Sequence, residues 1–352
     1  MPVTIVVGGQ YGSEGKGKVA ALVGASLKYP WHVRCGGPNS GHSVTIQGKD
    51  VVLRQVPSCV EPRKAIFCLA AGCAVDVDIL VSELELLHID REQIIVDPRA
   101  VIVGGGDRDS EKLHLSHIGS TGSGTGSAMM RRMSRSLDCL LAKDCDVLKN
   151  RCRVETVAPL LHRCAGEGGD IVVEGSQGFG LSLLHGPYYP YVTSRDTTAA
   201  GFAMEAGLSP RMIDKIILVV RTFPIRVGGS SGPLAEEISW DEIARLSGAP
   251  TPIPEFTSVT RRLRRVARFD MELAKIACQY NRPTSIALMG ADRLEYANTG
   301  AGEIGELTAK SRTFMKDLES ATDVPIEFVG TGFGTFDAIR IAKPIHFELS
   351  HV

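Results

Sequence analysis

The glycine-rich segment at positions 8–18 has the composition of a loop that binds phosphate. It reads Gly8-Gly9-Gln10-Tyr11-Gly12-Ser13-Glu14-Gly15-Lys16-Gly17-Lys18 and follows a β-branched run. Glycine lets backbone N–H groups approach an anion, the amino terminus of a helix adds a partial positive charge, and Lys16 adds a full one. The segment is not a Walker A loop, which would need glycine at 10 and serine or threonine at 17, where Gln10 and Gly17 stand. A phosphate loop of a different type is favoured over a merely tight turn.

Two further glycine-rich segments carry groups suited to phosphate chemistry. His42 ends the segment Gly36-Gly37-Pro38-Asn39-Ser40-Gly41-His42, which is too rich in glycine for core packing and favours a functional histidine over a structural one. A protonated histidine neutralises charge on a transferring phosphoryl group. The segment Gly119-Ser120-Thr121-Gly122-Ser123-Gly124-Thr125-Gly126-Ser127 precedes Arg131, Arg132 and Arg135. Its hydroxyl groups suit a monophosphate clamped by arginine, and a flexible linker is the alternative.

Two later segments add polar and cationic side chains. Gln177 and Thr193 are uncharged groups suited to reading a base edge or a phosphate. Five arginines follow at Arg261, Arg262, Arg264, Arg265 and Arg268. A nucleic-acid patch and a solvated face are possible readings of this cluster, but the chain is neutral and no aromatic residues interleave with the arginines. A clamp for small anionic substrates is favoured.

The elements that position these loops follow from the periodicity of the chain. Short runs of β-branched residues predict strands at 3–7, 94–96, 100–103, 170–173, 216–220 and 285–288. Helical stretches are predicted at 76–87, 134–149 and 270–280. Several strands are continuously apolar, as in a parallel sheet covered on both faces. We therefore expect one α/β domain over residues 1–352, with a mostly parallel central sheet and helices on both faces, and with 248–255 as an ordered loop.

Composition excludes several classes of protein. The chain has 39 Lys+Arg against 40 Asp+Glu, which argues against a nucleic-acid coat. No apolar run approaches the roughly 18–20 residues that span a bilayer, and the sequence MPVTIVVGGQ lacks the features of a secretory signal. Nine cysteines without a C-x-x-C pair indicate reduced thiols. We expect a cytoplasmic protein, in the host cytoplasm if it is viral, with no membrane partner.

Taken together and in order, these segments resemble adenylosuccinate synthetase. The resemblance rests on GGQYGSEGKGK, GGPNSGH, STGSGTG, EGSQG, PYVTSRDTT, Arg226-Val227-Gly228, the arginine cluster with Thr260, and Gly330-Thr331-Gly332. It implies a fold related to phosphate-loop proteins, a homodimer and Mg²⁺. It also implies a reaction in which a nucleoside triphosphate phosphorylates the 6-oxo group of a purine nucleotide and aspartate then displaces the phosphate.

The resemblance also assigns roles to individual residues. It implies that Ser13, Lys16, His42 and Gln177 are catalytic, and that Ser13 and Gly41 are metal ligands. The substrate contacts that it implies are Ser13, Asn39, Thr121, Arg135, Gln177, Thr193, Val259, Thr260, Arg262 and Arg264, with Arg135 reaching the nucleotide of the partner subunit. The triphosphate contacts are Gly12, Glu14, Gly15, Lys16, Gly17, Gly41, His42, Thr260, Arg264, Asp292, Gly330 and Gly332.

Three positions depart from the family pattern. Ser13 stands where the family has the aspartate that removes the purine N1 proton and binds Mg²⁺. Gly290-Ala291-Asp292 keeps the aspartate of a K-x-D guanine-reading motif without its lysine, and Phe333 replaces a proline. Serine at position 13 resembles the viral branch of the family, the 2-aminoadenylosuccinate synthetases, which act on dGMP with ATP or dATP. A conventional synthetase acting on IMP with GTP, and an inactive nucleotide-binding regulator, are the alternatives.

Overall fold

A ten-stranded sheet forms the centre of the computed structural model, which describes residues 3–257 and 261–341. The strands are β1 (Val3–Gly8), β2 (Trp31–Arg34), β3 (His42–Ile46), β4 (Lys49–Leu53), β5 (Ile66–Leu69), β6 (Ala74–Val75), β7 (Ile94–Val96), β8 (Val101–Ile102), β9 (Arg153–Val154), β10 (Ile171–Glu174), β11 (Ile213–Arg221), β12 (Ile225–Arg226), β13 (Glu237–Ile238), β14 (Arg265–Ala267), β15 (Ser285–Met289), β16 (Ile326–Gly330) and β17 (Ala338–Arg340). The α-helices are α1 (Lys16–Ala25), α2 (Val77–Leu87), α3 (Gly105–His114), α4 (Thr125–Met133), α5 (Asp146–Arg151), α6 (Val157–Gly166), α7 (Ala199–Ala206), α8 (Trp240–Ser247), α9 (Met271–Asn281), α10 (Ala291–Leu294) and α11 (Ala309–Thr322).

The main sheet confirms the predicted α/β class. Its strand order is β17-β16-β15-β11-β1-β10-β2-β5-β7-β9, and every neighbouring pair is parallel except β16 and β17. All four residues of β10 and all five of β15 are buried, as expected for strands that are covered on both faces. Smaller sheets comprise β12-β14-β13, β3-β4 and β6-β8.

The parallel strands bring chemically useful residues to one edge of the main sheet. Gly8, Arg34, Glu174 and Arg221 are the last residues of β1, β2, β10 and β11, which are neighbours in the sheet. Ligands of open α/β sheets bind outside the carboxyl ends of the strands. The glycine-rich loops that follow these strands are therefore placed where a ligand is expected.

Most of the predicted elements are present, but the predicted helix at 134–149 is wrong. Helix α4 ends at Met133, and Arg135 takes a left-handed conformation with φ 57°. Helix α5 then begins only at Asp146. Leu141, between the two helices, pairs with Val101 in an isolated antiparallel bridge. The backbone of this segment therefore pairs with β8 instead of forming a helix. The helical periodicity of the sequence did not indicate this pairing.

Helices α2 and α9 are each capped by the aspartate that precedes them, Asp76 and Asp270. The side chain of Asp76 accepts a hydrogen bond from the Ile79 N–H at 3.3 Å, and that of Asp270 accepts one from the Leu273 N–H at 2.9 Å. All nine cysteines are free thiols, and seven of them are buried. Across the described ranges, none of the helices has the length and apolar character needed to cross a membrane.

His32 is an uncompensated polar residue in the core. It lies in β2 with no exposed surface, and neither ring nitrogen has a hydrogen-bond partner among the described residues. A side chain on Gly24 of α1 would approach its ring within 2.4 Å, so the imidazole fills the space between helix and sheet. Burial lowers the pKa of His32 to about 4. The residue is therefore neutral at pH 7.

Replacing this histidine, as His32→Leu, should reduce the sensitivity of the fold to acid. The folded pKa is about 4, whereas the unfolded chain titrates at about 6.5. The stability associated with neutral His32 is complete above pH 6.5 and is lost progressively as the pH falls from about 6.5 to about 4. Urea unfolding at pH 7 and pH 4.5 should show the parent losing about 2–3 kcal/mol more than the variant. Equal losses would contradict this account.

Candidate functional site

A cleft of about 660 Å³ lies at the carboxyl ends of the central strands. It collects most of the site residues predicted from the sequence, which come from eight separate segments of the chain. Those that line it are Gly12, Ser13, Glu14, Gly15, Lys16, Gly17, Asn39, Gly41, His42, Thr121, Gln177, Thr193, Arg264, Asp292 and Gly332. The cleft therefore brings the glycine-rich loops and part of the arginine cluster to one site.

Five nominated residues are not part of this lining. Arg135 and Arg262 are exposed outside the cleft, and Gly330 ends β16, where an added Cβ would lie 2.7 Å from the Sδ of Met289. Gly330 therefore allows close packing between strands. Val259 and Thr260 lie outside the described residues, so their predicted roles remain predictions.

The phosphate loop closes around a buried carboxylate. Glu14 accepts hydrogen bonds from the N–H groups of Gln10 at 3.1 Å and Gly12 at 2.8 Å, and its other oxygen lies 2.5 Å from the Nζ of Lys16. Gly15 precedes α1 with φ 105°, a conformation that disfavours any side chain, and leaves the start of α1 without a side-chain cap. The first N–H groups of the helix therefore remain for an anionic ligand.

Gly17 explains why this loop lacks the hydroxyl residue of a Walker motif. An added Cβ at this position would lie 2.7 Å from Ser58 Oγ and 2.9 Å from His42 Cβ. It would also come within 3.3 Å of a carboxylate oxygen of Glu174. Glycine is therefore required, because the space beside the first turn of α1 is occupied by the neighbouring loops.

His42 is held by the carboxylate of Glu174 at the end of β10. The Nδ1 atom of His42 makes a short hydrogen bond to Oε1 of Glu174, which has no exposed surface. Ser58 donates its N–H to the other carboxylate oxygen at 2.7 Å, and Arg34 lies 3.7 Å from Oε1. Nδ1–H therefore points at the carboxylate, and Nε2 is the ring nitrogen left for a ligand in the cleft.

The protonation of this pair follows from burial and from its neighbours. Burial and then the charge of Arg34 lower the pKa of the His42 imidazole, against the opposing effect of Glu174. Burial alone would raise the pKa of Glu174, but the interactions with His42, Arg34 and Ser58 hold it below its usual range. The site thus holds a neutral imidazole and an ionised carboxylate at pH 7. An anion at Nε2 would favour the protonated ring.

Ser13 and Gln177 are both strained residues, and Gln177 lies against the loop that carries Ser13. Their φ angles are 54° and 62°, in the left-handed region that non-glycine residues rarely adopt. Such conformations cost on the order of 1–3 kcal/mol each and persist where the surroundings enforce them. A Cβ on Gly12 would lie 3.4 Å from Gln177 Oε1, which shows how closely the amide approaches the loop. The Ser13 side chain is exposed in the cleft.

The Thr121 and Thr193 segments approach each other on the other side of the cleft. Gly126, at the start of α4, lies so close to Ser194 that an added Cβ would be 3.6 Å from the serine Cβ. The N–H groups of Gly124 and Gly126 both donate to the carboxylate of Glu111, at 2.8 and 2.5 Å. This buried carboxylate holds the Gly/Ser segment as an ordered loop, so the linker alternative is wrong.

The end of the cleft near Asp292 connects the phosphate loop to the loop after β16. Lys18 donates to the carbonyl oxygen atoms of Gly332 at 3.0 Å and Asp337 at 2.7 Å. Burial lowers the pKa of Lys18 to about 8 and raises that of Asp292. Phe333, at the family's proline position, lines this end with 71% of its surface exposed.

Sequence reasoning missed the partners that hold the nominated residues. Arg34, Glu174 and Arg221 were not nominated, although each is a charged residue that ends a buried strand. That position was the available signal, because ligands gather at the carboxyl ends of parallel strands. Glu111 and Glu255 lie on a helix and in a loop, and no sequence spacing connected them to the site.

The comparisons with known proteins agree with the geometry. The family model described as adenylosuccinate synthetase matches residues 5–141 and 141–300. The adenylosuccinate synthetase of Methanocaldococcus jannaschii is 39% identical over 94% of each chain. That of Pyrococcus horikoshii is 37% identical over 94% of this chain and 96% of the relative.

Two solved structures have the same fold. Fully ligated adenylosuccinate synthetase from Plasmodium falciparum gives a TM-score of 0.83 at 20% identity, covering 97% of this chain and 100% of that chain. The cyanophage S-2L succinoaminodeoxyadenylate synthetase, bound to dGMP and to dATP as an energy donor, gives 0.77 at 27% identity, covering 96% and 95%.

The packing at position 17 leads to a stability prediction. Gly17→Ala should destabilise the protein by about 1–3 kcal/mol, the usual effect of overpacking, because its Cβ would collide with Ser58 and His42. The matched control is Gly106→Ala in α3, where an added Cβ meets no atom within 4 Å. Denaturant midpoints should fall for the first variant only. A similar midpoint for both would show that the loops yield easily.

Proposed function

The chain belongs to the adenylosuccinate synthetase family, and from this premise we propose that it joins L-aspartate to C6 of dGMP at the expense of ATP. The family consists of ligases that form a C–N bond, use a nucleoside triphosphate and Mg²⁺, and are typically dimeric. The proposed products are 2-amino-2′-deoxyadenylosuccinate, ADP and phosphate, on a route to diaminopurine deoxynucleotides. The substrate and the donor are the parts that this proposal adds.

The observation that carries the choice of dGMP is Ser13. Its side chain is exposed in the cleft that Gln177, the residue expected to contact the purine, also lines. Guanine differs from hypoxanthine by a 2-amino group next to N1. A carboxylate bonded to N1 would crowd that group, whereas a hydroxyl takes less space and both donates and accepts hydrogen bonds. The likeness to the cyanophage enzyme bound to dGMP supports the same choice.

The residues of the cleft divide the proposed reaction between them. In the first step O6 of the purine attacks the γ-phosphorus, the bond to ADP breaks, and N1 loses its proton. Lys16 and His42 Nε2 stabilise charge on the transferring group, and Gln177 orients the base. In the second step the aspartate amine attacks C6 and forms the C–N bond. The C6–O6 bond breaks, phosphate leaves carrying O6, and the attacking nitrogen loses a proton. Arg264 supplies positive charge for the aspartate carboxylates.

The residues present fit Mg²⁺ only together with substrate phosphates. Across residues 3–257 and 261–341, no group of three or more His, Cys, Asp or Glu side chains could hold a metal ion. The cleft offers the Ser13 hydroxyl and the Gly41 carbonyl, which are hard oxygen ligands. Mg²⁺ characteristically completes its coordination with phosphates and water. When bound, it would neutralise charge on the triphosphate.

ATP or dATP is the proposed donor because the guanine-reading lysine is absent. Gly290 takes its place at a φ of 83° before the short helix α10. Asp292 remains in the cleft, with Arg293 Nε 3.5 Å from its carboxylate. A carboxylate accepts from the amine of adenine as it does from that of guanine, so the retained aspartate is compatible with both bases. The cyanophage enzyme is described with dATP as its energy donor.

A conventional synthetase acting on IMP with GTP is the second candidate. The archaeal relatives that match at 37–39% identity bear the name adenylosuccinate synthetase, and Asp292 is retained. An inactive regulator is disfavoured, because Lys16 and His42 remain positioned in the cleft and a simple binder has no use for a histidine oriented by a buried carboxylate.

The deciding experiment crosses four nucleotides with two donors. Phosphate release with aspartate should be faster for dGMP than for IMP, with GMP and dIMP showing the contribution of the ribose, under ATP and under GTP. Ser13→Asp should lower the ratio of kcat/KM for dGMP to that for IMP. The added carboxylate crowds the 2-amino group and can serve as general base for IMP, an effect of about 10²–10⁴ where geometry is right.

Two outcomes would remove the assignment. An equal or higher kcat/KM for IMP in the parent would restore the conventional activity. A ratio that Ser13→Asp leaves unchanged or raises would place purine choice elsewhere in the cleft. Ser43→Asp is a suitable control, because Ser43 also lines the cleft but is not part of the phosphate loop.

Turnover should depend strongly on His42. His42→Ala should lower kcat by about 10²–10³, the usual effect of removing one well-placed stabilising group. Glu174→Gln keeps the size of the side chain but removes the charge that orients Nδ1–H, and should lower kcat without a matching change in KM. If His42→Ala retained more than about a tenth of the parent kcat, His42 would not be the stabilising group.

Arg135 should act across a dimer interface. It is exposed outside the cleft, near the exposed apolar residues Met130, Met133 and Leu137, which favour association. Mixing inactive Arg135→Leu with inactive Lys16→Ala should restore part of the activity, because one site of the hybrid dimer regains both groups. Each variant alone should stay inactive. No recovery despite measured subunit exchange would contradict the shared site.

A further inference from the structure

An ion pair connects the phosphate loop to the loop that precedes the arginine cluster. Arg221, the last residue of β11, contacts Glu255 through both terminal nitrogens: Nη1 lies 3.0 Å from Oε2, and Nη2 makes a shorter hydrogen bond to Oε1. The exposed fractions of the two side chains are 10% and 29%, and both residues line the cleft. The geometry is that of a two-point arginine–carboxylate contact.

The same guanidinium also holds the strained residue of the phosphate loop. Nη1 of Arg221 donates to the carbonyl oxygen of Ser13 at 3.2 Å. The backbone of Arg221 makes two more bonds to this loop: its N–H donates to Gln10 Oε1, and its carbonyl accepts from Gln10 Nε2, both at 3.0 Å. Arg221 therefore contacts the loop on both sides of the turn that presents Ser13.

Glu255 extends the connection to the arginine cluster. Its carbonyl oxygen accepts a hydrogen bond from the Arg264 N–H at 2.9 Å, and Arg264 Nε donates to the neighbouring Phe256 carbonyl at 3.2 Å. Arg264 lines the cleft and is proposed to bind substrate. Three successive contacts, Ser13 to Arg221, Arg221 to Glu255 and Glu255 to Arg264, thus join Ser13 to Arg264.

Stability alone is a poor explanation for this arrangement. The attraction within a buried ion pair is largely offset by the desolvation of its charges. The Nε of Arg221 is buried with no hydrogen-bond partner among the described residues, which adds to the unfavourable side. The contacts instead fix the backbone of Ser13 in a conformation that serine disfavours.

We infer that Arg221 is a positioning residue that fixes Ser13 and Arg264 relative to each other through Glu255. Purine selection and aspartate binding then both depend on one guanidinium, whose terminal nitrogens bond to Ser13 and Glu255. This inference deepens the proposed function and rests on it for the identity of the two substrates. Loss of the guanidinium should therefore change the purine ratio and the KM for aspartate together.

The test compares four variants with the parent. Arg221→Met removes the charge, Arg221→Lys keeps it without the two-point geometry, and Glu255→Gln keeps Arg221 while weakening its partner. The matched control is Lys215→Met. Lys215 lies on the same strand as Arg221 but does not line the cleft, and its Nζ pairs with Oε2 of Glu327 at 2.5 Å. The measurements are kcat, the KM for aspartate, the ratio of kcat/KM for dGMP to that for IMP, and the unfolding midpoint.

Arg221→Met should lower kcat by about 10–100-fold, shift the purine ratio by about fivefold or more and raise the KM for aspartate, because small misplacements in an active site have effects of this size. Arg221→Lys should recover part of each loss, and Lys215→Met should stay within about twofold of the parent in all three. If Arg221→Met does not fold, Glu255→Gln should show the same coupled change in smaller measure.

The inference would be overturned if folded Arg221→Met left both the purine ratio and the KM for aspartate unchanged, or if Glu255→Gln did so where Arg221→Met does not fold. Equal effects in Lys215→Met would overturn it as well. A parent that prefers IMP would refute the proposed substrate instead. The positioning role would still be judged by whether the variants shift that preference, so the two failures are distinguishable.

Discussion

The carboxylate of Glu174 is the point at which the loops of the site are joined. It lies without exposed surface at the end of β10 and receives His42 Nδ1–H and the N–H of Ser58, beside Arg34. Burying a carboxylate is unfavourable unless it is paired and hydrogen-bonded, so these partners cannot move away independently. Gly17 belongs to the same constraint, because any side chain there would displace the groups around the carboxylate. One packing arrangement therefore determines three features: the orientation of His42, the course of the loop at 36–42 and the close approach of α1.

The site is also where the chain departs from favourable local conformations. Ser13 and Gln177 both have positive φ angles, and each belongs to a loop that directly follows a buried central strand. Strands β1 and β10 are adjacent and parallel, with Val6 opposite Glu174, so both loops start from a rigid base. Local strain of this kind is found where the surrounding structure enforces it, characteristically at functional sites. Here the enforcing contacts are those of Glu14 inside the phosphate loop and of Arg221 beside it.

The sequence predicted most of the strands and most of the residues that line the cleft, but not the contacts between them. Runs such as 3–7 and 285–288 became strands of the main sheet because continuous β-branched residues suit a strand buried on both faces. The glycine-rich loops were identified because a loop that binds phosphate has a characteristic composition within a short stretch of sequence. The contact between His42 and Glu174 joins residues 132 positions apart and depends on the strand order, which periodicity does not determine. The predicted helix at 134–149 failed for the same reason, since the pairing of Leu141 with Val101 is a tertiary contact.

The partners of the carboxylates around the cleft distinguish them from the side chain at position 13. Glu14 is bonded to backbone N–H groups and Lys16, Glu111 to the N–H groups at the start of α4, and Glu255 to Arg221. With Glu174 bound to His42, each of these negative charges is satisfied by the protein. A side chain at position 13 differs from these carboxylates, because Ser13 is exposed in the cleft whereas each of them is held by a partner within the protein. The guanidinium of Arg221, which contacts the backbone carbonyl of Ser13, is already paired with Glu255. Under the proposed function, a carboxylate there would have to be neutralised by the substrate or its metal, whereas serine leaves the recognition of the purine to neutral hydrogen bonds.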